Sequence, residues 1–163
     1  MKILLTFDSY FGNTEQIGQA IAKALSSTET VEVKRCKEIS ADELSQFDLI
    51  ILGSPTRGFR PTEEVSKLIK EIKSNSLVGC KIATFDTRVA LETINSTFFR
   101  KVVNTGGYAA KPLAQRMKKK GAQLIIEPEG FYVMDTEGPL KEGEIERAEN
   151  WGKKILEKYK SFP

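Results

Sequence analysis

Histidine is absent from the sequence, and cysteine occurs only twice, as Cys36 and Cys80, far apart in the chain. A zinc site of the Cys/His type is therefore excluded, and so is a Ser-His or Cys-His catalytic pair. A metal site made of carboxylates alone stays open, although no cluster of acidic residues suggests one. Two lone cysteines of this kind are typical of reduced, partly buried thiols.

The sequence also lacks long apolar runs and a strong excess of one charge. No apolar run approaches the roughly 20 residues that cross a bilayer, so we expect no membrane insertion. Residues 1–8 make too short and too acidic a segment for a signal peptide, which predicts a cytoplasmic protein. Net charge is +3 with both signs interspersed, except at Lys118–Lys120. That triplet ends a predicted helix and has no interleaved aromatic residues, so we expect no nucleic-acid binding.

Strand-like and helix-like segments alternate along the 163 residues, which we interpret as a single domain over residues 1–163. Lys2–Phe7 is a short apolar strand, and apolar residues at helical spacing follow from Ile17 to Leu25. Asp48–Gly53 is apolar almost throughout, as expected of a central strand covered on both faces. The next predicted elements are a strand at Lys81–Phe85 and a helix at Tyr108–Lys120. Two strand-like stretches follow, Ala122–Glu127 and Gly130–Met134, separated by Pro128. A helix at Glu142–Lys160 closes the chain, and we expect its Ile145 to face inward.

This alternation predicts an α/β fold with a doubly wound, five-stranded parallel sheet in the order 2-1-3-4-5 and helices on both faces. Ligands of such sheets bind beyond the carboxyl ends of the strands, where the strand order reverses. That rule selects the loops after Phe7, after Gly53 and after Phe85 as the places to look for chemistry.

The first loop leads directly into the first helix and offers several groups for an anion. It carries the hydroxyls of Ser9 and Thr14, the amide of Asn13, and Gly12, where positive φ or close ligand approach could be required. The first N–H groups of a helix have no partner within the helix and, with its dipole, attract an anion. The loop has no lysine and is not a Walker P-loop. An ordinary helix cap by Asn13 after a glycine turn is the alternative.

The second loop, Gly53–Pro61, contains two prolines and two glycines in nine residues, which predicts a stiff turn. Gly58 could permit a peptide flip, Phe59 could stack on a planar ligand, and Arg57 could offer a cation with several donors. A plain surface connection with Arg57 and Arg60 exposed remains the alternative.

The third loop region, residues 86–107, is longer than most connections between a strand and a helix, so it is either functional or contains its own helix. Asp86–Arg88 stands at the end of the strand, where Asp86 either meets a ligand or pairs with an arginine. The apolar residues Phe98, Phe99, Val102 and Val103 indicate a short packed helix, and Gly106 and Gly107 could form a hinge after it.

These loops resemble those of the flavodoxin family, and the resemblance covers nearly the whole chain. Ser9-Tyr10-Phe11-Gly12-Asn13-Thr14 matches the phosphate-loop pattern Ser/Thr-x-x-Gly-Asn-Thr. Gly53-Ser54-Pro55-Thr56-Arg57-Gly58 is similar to the Ser/Thr-Pro-Thr-Arg loop of flavodoxin-like NAD(P)H:quinone oxidoreductases. Phe85–Arg88 and Glu137–Leu140 also resemble stretches of an uncharacterised flavodoxin-like group.

The resemblance implies FMN as the cofactor. The residues it implies for FMN binding are Ser9, Gly12, Asn13 and Thr14 at the phosphate, Tyr10 and Phe11 in the same loop, Pro55, Thr56, Arg57, Gly58 and Phe59 along the isoalloxazine, and Phe85, Asp86 and Thr87 at the third loop. The chain departs from flavodoxins where Tyr10 and Phe11 replace hydroxyl residues, where the third loop lacks a Gly-Asp pair and a stacking tyrosine, and in its slightly basic charge.

The implied function is electron transfer with a redox partner protein or a small-molecule acceptor. No residue is a convincing general base, which suits electron or hydride transfer better than hydrolysis. We therefore expect an electron carrier rather than an FMN enzyme with its own substrate. An NAD(P)H-dependent FMN quinone reductase and a flavin-free binding module remain the alternatives. The sequence gives no indication of an oligomeric state.

Overall fold

The structure is a computed structural model that describes residues 1–90, 97 and 107–163. The predicted helix with Phe98, Phe99, Val102 and Val103, and the hinge residue Gly106, lie outside the described residues. The main elements are β1 (Lys2–Phe7), α1 (Asn13–Ser26), β2 (Thr30–Arg35), β3 (Leu49–Pro55), α2 (Glu63–Glu71), β4 (Lys81–Val89), α3 (Ala110–Lys118), β5 (Gln123–Leu124), β6 (Glu129–Val133) and α4 (Glu144–Ser161). The short 3₁₀ helices Cys36–Glu38 and Ala41–Gln46 connect β2 to β3.

The sheet is parallel and has the order β2-β1-β3-β4-β5, which confirms the predicted topology. The fifth position is shared by two pieces, because β6 also pairs parallel with β4. Gln123 of β5 lies opposite Lys81, and Glu129 of β6 lies opposite Phe85. The sequence break at Pro128 falls between the two pieces, as expected of a residue that has no N–H for the ladder.

The central strand β3 is buried from Leu49 to Ser54 and pairs with β1 on one side and β4 on the other. Its end has room only for glycine: a Cβ at Gly53 would stand 2.2 Å from Cζ of Phe85. The Phe85 ring makes edge contacts with Phe131 and Trp151, with centroids 6.1 and 6.2 Å apart. These three rings pack together in the core, close to the carboxyl end of the sheet.

Helices cover both faces of the sheet. One apolar core joins the sheet to α1 and α4, and its members include Ile3, Leu5, Phe7, Ile17, Ile21, Trp151 and Ile155. The other joins the sheet to α2 and α3, and includes Leu4, Ile50, Leu52, Leu68, Ile69, Leu113 and Met117. Helices α1 and α4 pack so closely that a Cβ at Gly152 would lie 3.1 Å from the carbonyl oxygen of Ile21.

The first turn of α4 corrects one sequence prediction. Ile145 was expected to face inward but is 40% exposed, whereas Glu144 is buried. The Glu144 carboxylate accepts a hydrogen bond from Tyr132 N at 2.7 Å and pairs with Arg147, so the inward stripe runs from Glu144 through Ala148. Ile145 stands about 100° away on the helix and therefore points outward.

Within the described part of the chain, no helix is long and apolar enough to span a bilayer.

Candidate functional site

A cleft of about 730 Å³ lies at the carboxyl edge of the sheet, within the usual range for small-molecule sites. The loops after β1 and β3 and the carboxyl end of β4 meet there with the chain that follows β6, as the switch-point rule predicts. The lining residues are Ser9, Tyr10, Phe11, Asn13, Thr14, Pro55, Thr56, Arg57, Gly58, Phe59, Thr87, Arg88, Val89, Tyr108, Val133, Met134, Asp135 and Thr136.

Gly12 caps the N-terminus of α1 with φ of 89°, so the prediction of positive φ at this glycine is confirmed. The alternative in which Asn13 caps the helix is wrong, because Asn13 is the first helical residue and its side chain makes no cap. Its Nδ2 donates instead to the carbonyl oxygen of Glu137, 3.1 Å away. Asn13 thus fastens the late Glu137–Leu140 stretch to the first loop.

The start of α1 presents hydrogen-bond donors to the cleft. Ser9 Oγ accepts from Gly12 N and Glu15 N, at 3.2 and 3.3 Å, and keeps its own hydrogen to donate. The helical hydrogen bonds begin with Gln16 N donating to Gly12 O, so the N–H groups of Asn13 and Thr14 precede them. These donors and the positive end of the helix dipole suit an anion such as phosphate.

Arg35 supports the first loop and was missed by the sequence analysis. Its Nη1 donates to the carbonyl oxygen of Ser9 at 2.8 Å, and its Nη2 pairs with Glu15 Oε2 at 2.6 Å. The register of β1 and β2 places Phe7 opposite Arg35, so a long side chain there reaches the loop after β1. The pairing of β1 with β2 is the signal that could have identified Arg35 from the sequence.

The second loop is a tight turn tied to its neighbours. Arg57 and Arg60 exchange backbone hydrogen bonds of 2.8 and 3.0 Å, and Gly58 and Phe59 both have positive φ. The stiff turn expected from the prolines and glycines is therefore present. Thr56 fixes the position of this turn. Its N–H donates to the carbonyl oxygen of Thr87, and its Oγ1 accepts from the N–H of Ala109, the residue before α3.

The guanidinium of Arg57 bridges the first and second loops. Its Cζ lies 5.0 Å from the centroid of Tyr10 and 5.6 Å from that of Phe11, within the range of cation–π contacts. Both rings are about half exposed and line the mouth of the cleft. The two positions at which the chain departs from flavodoxins thus carry the contact between the loops.

The third region resolves the alternatives left open for Asp86. Its carboxylate is fully buried, and it accepts from Arg88 Nε and Nη2 at 2.6 and 2.7 Å and from Ala110 N at 2.8 Å. Burial raises the pKa of the Asp86 carboxyl above its ordinary value, although the hydrogen bonds and charge of Arg88 act in the opposite direction. Asp86 and Phe85 do not line the cleft, whereas Thr87 and Arg88 do.

Thr87 contacts the first helix directly. Its Oγ1 lies 2.7 Å from Oγ1 of Thr14, and both side chains are buried. One of the two hydroxyls donates to the other, so one hydrogen remains for a further acceptor.

The cleft also includes residues that the sequence analysis did not assign to it, namely Val89, Tyr108 and Val133–Thr136. The predicted strand Gly130–Met134 could have indicated Val133–Thr136, because the carboxyl end of that strand falls at the same edge of the sheet as the ends of the other strands. Met134 N donates to Pro139 O at 2.8 Å, which folds this segment back over the start of α1.

Other chemistries find little support in the described residues. They contain no group of His, Cys, Asp and Glu side chains able to hold a metal ion. Cys36 and Cys80 are free and buried, and burial raises the pKa of each thiol to about 12. Both thiols therefore stay protonated near neutral pH and are poor nucleophiles.

The fold and the cleft define a flavodoxin-like α/β protein, and comparisons with known proteins agree. The family model described as "Flavodoxin domain" matches residues 4–121. A flavodoxin from Picosynechococcus sp. is 40% identical over 55 residues, which span 34% of this chain and 32% of that protein. Only about a third of that curated relative is therefore matched.

Solved structures extend the likeness to nearly the full chain. Oxidised Flavodoxin 2 from Bacillus cereus superposes with a TM-score of 0.76 at 26% identity, covering 97% of this chain and 99% of that one. Oxidised Flavodoxin 1 from the same organism gives 0.72 at 21% identity, with 96% and 98% covered. This chain belongs to the flavodoxin domain family. It is a flavodoxin-like protein, and proteins of this family bind FMN and transfer electrons to redox partners.

Proposed function

We propose that this protein binds FMN in the cleft and serves as an electron carrier. The observation that supports this most strongly is the convergence of the phosphate loop and the Pro55–Phe59 loop on one cleft at the carboxyl edge of the sheet. Family membership points to the same cofactor and the same chemistry.

The residues at the start of α1 fit a phosphate monoester. Ser9 and the Thr14–Thr87 pair each retain a hydroxyl hydrogen, and the N–H groups of Asn13 and Thr14 face the helix end. Arg35 holds the loop through the carbonyl oxygen of Ser9, while Glu15 balances its charge. These groups would hold the FMN phosphate without a lysine in the loop.

The second loop fits a planar ring system. Pro55–Phe59 line one wall of the cleft, and Tyr108 lines another part of it. When bound, FMN supplies the redox chemistry, while the protein supplies binding, orientation and the electrostatic field. We infer that Gly58 lies near the reactive edge of the flavin and that Arg57 adds positive charge near its ring.

The comparisons favour neither of the two alternatives, an NAD(P)H-dependent quinone reductase or a flavin-free module. The donors at the start of α1 also argue for a phosphate ligand in the cleft. We propose redox proteins or small acceptors as the electron-transfer partners, without nucleic acid.

We also propose that residues 1–163 work as one domain in the cytoplasm. The close packing of α4 on α1 supports a single domain, because it joins a helix near the start of the chain to the last helix. The free, buried Cys36 and Cys80 support a location in the cytoplasm, because unpaired thiols are usual in reducing compartments.

Absorbance spectra of the protein purified with and without added FMN test the proposal. We expect flavin bands that remain with the protein through gel filtration. A colourless protein that retains no added FMN would contradict FMN binding. Rapid bleaching of the bound flavin by NAD(P)H alone would contradict the carrier role and favour the reductase.

A further inference from the structure

Arg88 and Asp86 form an ion pair beside the cleft. They stand two residues apart on β4 and therefore point to the same face of the sheet. Asp86 engages Nε and Nη2 of Arg88 in a two-pronged contact of 2.6 and 2.7 Å. This geometry fixes the plane of the guanidinium, and Asp86 leaves the third nitrogen, Nη1, to other acceptors.

Two neighbours hold the guanidinium in the same place. Its Cζ lies 3.8 Å from the centroid of the Tyr108 ring. On the adjacent strand, a Cβ at Gly130 would stand only 2.1 Å from that Cζ, so the Arg88 side chain passes directly over a glycine backbone. The Arg88 side chain is 17% exposed and lines the cleft.

Arg57 is a cation of a different kind. It is exposed at the rim and rests on two rings that are themselves exposed. Solvent and salt screen such a charge, whereas a mostly buried guanidinium acts through a medium of lower dielectric constant. Of the two arginines that line the cleft among the described residues, Arg88 is therefore the one positioned to act on a ligand with a constant field.

We propose that Arg88 stabilises reduced FMN relative to oxidised FMN in this cleft, and that the carboxylate of Asp86 moderates this effect. The inference rests on the proposed FMN binding. Reduction adds negative charge to the flavin ring, and charge close to the ring tunes its electronics. A fixed guanidinium stabilises the added charge, and the Asp86 carboxylate partly offsets that effect.

The test is the ratio of two dissociation constants, one for oxidised FMN and one for FMN reduced with dithionite under anaerobic conditions. Arg88→Gln should lower the preference for reduced FMN about tenfold, the worth of one hydrogen bond to a charged group. Tenfold corresponds to about 30 mV for a two-electron couple. Asp86→Asn should raise the preference, because it leaves the charge of Arg88 uncompensated while keeping an oxygen for one of its hydrogen bonds.

Two further variants make the result specific. Arg116→Gln is the matched control, since Arg116 binds Ser66 between α2 and α3 and does not line the cleft. It should leave the ratio unchanged. Arg88→Lys keeps the charge and should retain most of the preference, which a purely structural role would not predict. If Arg88→Gln does not fold by circular dichroism, Arg88→Lys and Asp86→Asn still decide the matter.

Ratios that stay at the wild-type value in Asp86→Asn and in every folded Arg88 variant would overturn the inference while leaving the proposed function intact. A shift of the same sign in Arg88→Gln and Asp86→Asn would also overturn it. A wild-type protein that binds neither form of FMN would overturn the proposed function itself.

Discussion

The hydroxyl oxygens of Thr14 and Thr87 lie 2.7 Å apart and join the first turn of α1 to the carboxyl end of β4. Both side chains are at most 5% exposed. The contact fixes the helix end that would receive a phosphate against the end of β4. Because only one hydroxyl hydrogen serves the pair, the other can be donated to a bound anion.

Replacing Thr14 by Ala should therefore weaken FMN binding roughly tenfold, the usual worth of a hydrogen bond to a charged group. The change removes a hydroxyl and leaves Thr87 without its partner. Fluorescence titration of the apoprotein with FMN measures the effect.

Thr14→Ser is the matched control, because it keeps the hydroxyl and loses only a methyl group. It should bind FMN nearly as well as the wild type. Equal affinities for the wild type and Thr14→Ala would mean that the phosphate sits elsewhere.

Replacing Arg57 by Ala should lower the midpoint potential of bound FMN, since a cation near the ring favours the reduced, anionic flavin. The shift should be smaller than that of Arg88→Gln, because Arg57 is exposed and screened. Spectroelectrochemical titration gives both values, and Arg60→Ala serves as a control in the same loop. An unchanged potential in Arg57→Ala would exclude a role for Arg57 in tuning.

The buried Glu144 predicts a pH-dependent contribution to stability. Burial alone would raise its pKa, but hydrogen bonds from Arg147 and from Tyr132 N, with the charge of Arg147, outweigh it and lower the pKa below the ordinary 4.5. A lowered pKa in the folded state stabilises the protein above pH 4.5 and loses that effect as the pH falls through the folded value.

Glu144→Gln should therefore lower the free energy of unfolding by roughly 1–3 kcal/mol at pH 7, with a smaller difference below the folded pKa. Urea unfolding at several pH values measures this. Glu146→Gln, an exposed change in the same helical turn, is the control. A difference between wild type and Glu144→Gln that does not vary with pH would contradict the electrostatic explanation.

Local sequence patterns predicted much of the fold and part of the candidate site. The apolar run that became β3, the glycine at which α1 begins and the stiff loop around Gly58 each depend on neighbours in sequence, and all three are present. The strand order followed from the alternation of strands and helices together with general rules of connection.

The remaining features depend on contacts that a local pattern does not contain. Arg35 reaches Ser9 only because β2 pairs with β1, and Asn13 binds Glu137 only because the end of β6 folds back over α1. Ile145 was assigned to the interior from its apolar character, whereas the hydrogen bond from Tyr132 N to Glu144 determined which face turned inward. Each of these outcomes required a partner from another element.

The central claim is that the start of α1 holds the phosphate of FMN. Parallel titrations of the apoprotein with FMN and with riboflavin, which lacks only the phosphate, test it most directly. The geometry of Ser9, Asn13 and Thr14 predicts that FMN binds at least about 100-fold more tightly, as expected for two or more hydrogen bonds to an anion. Equal affinity for the two ligands would contradict the claim.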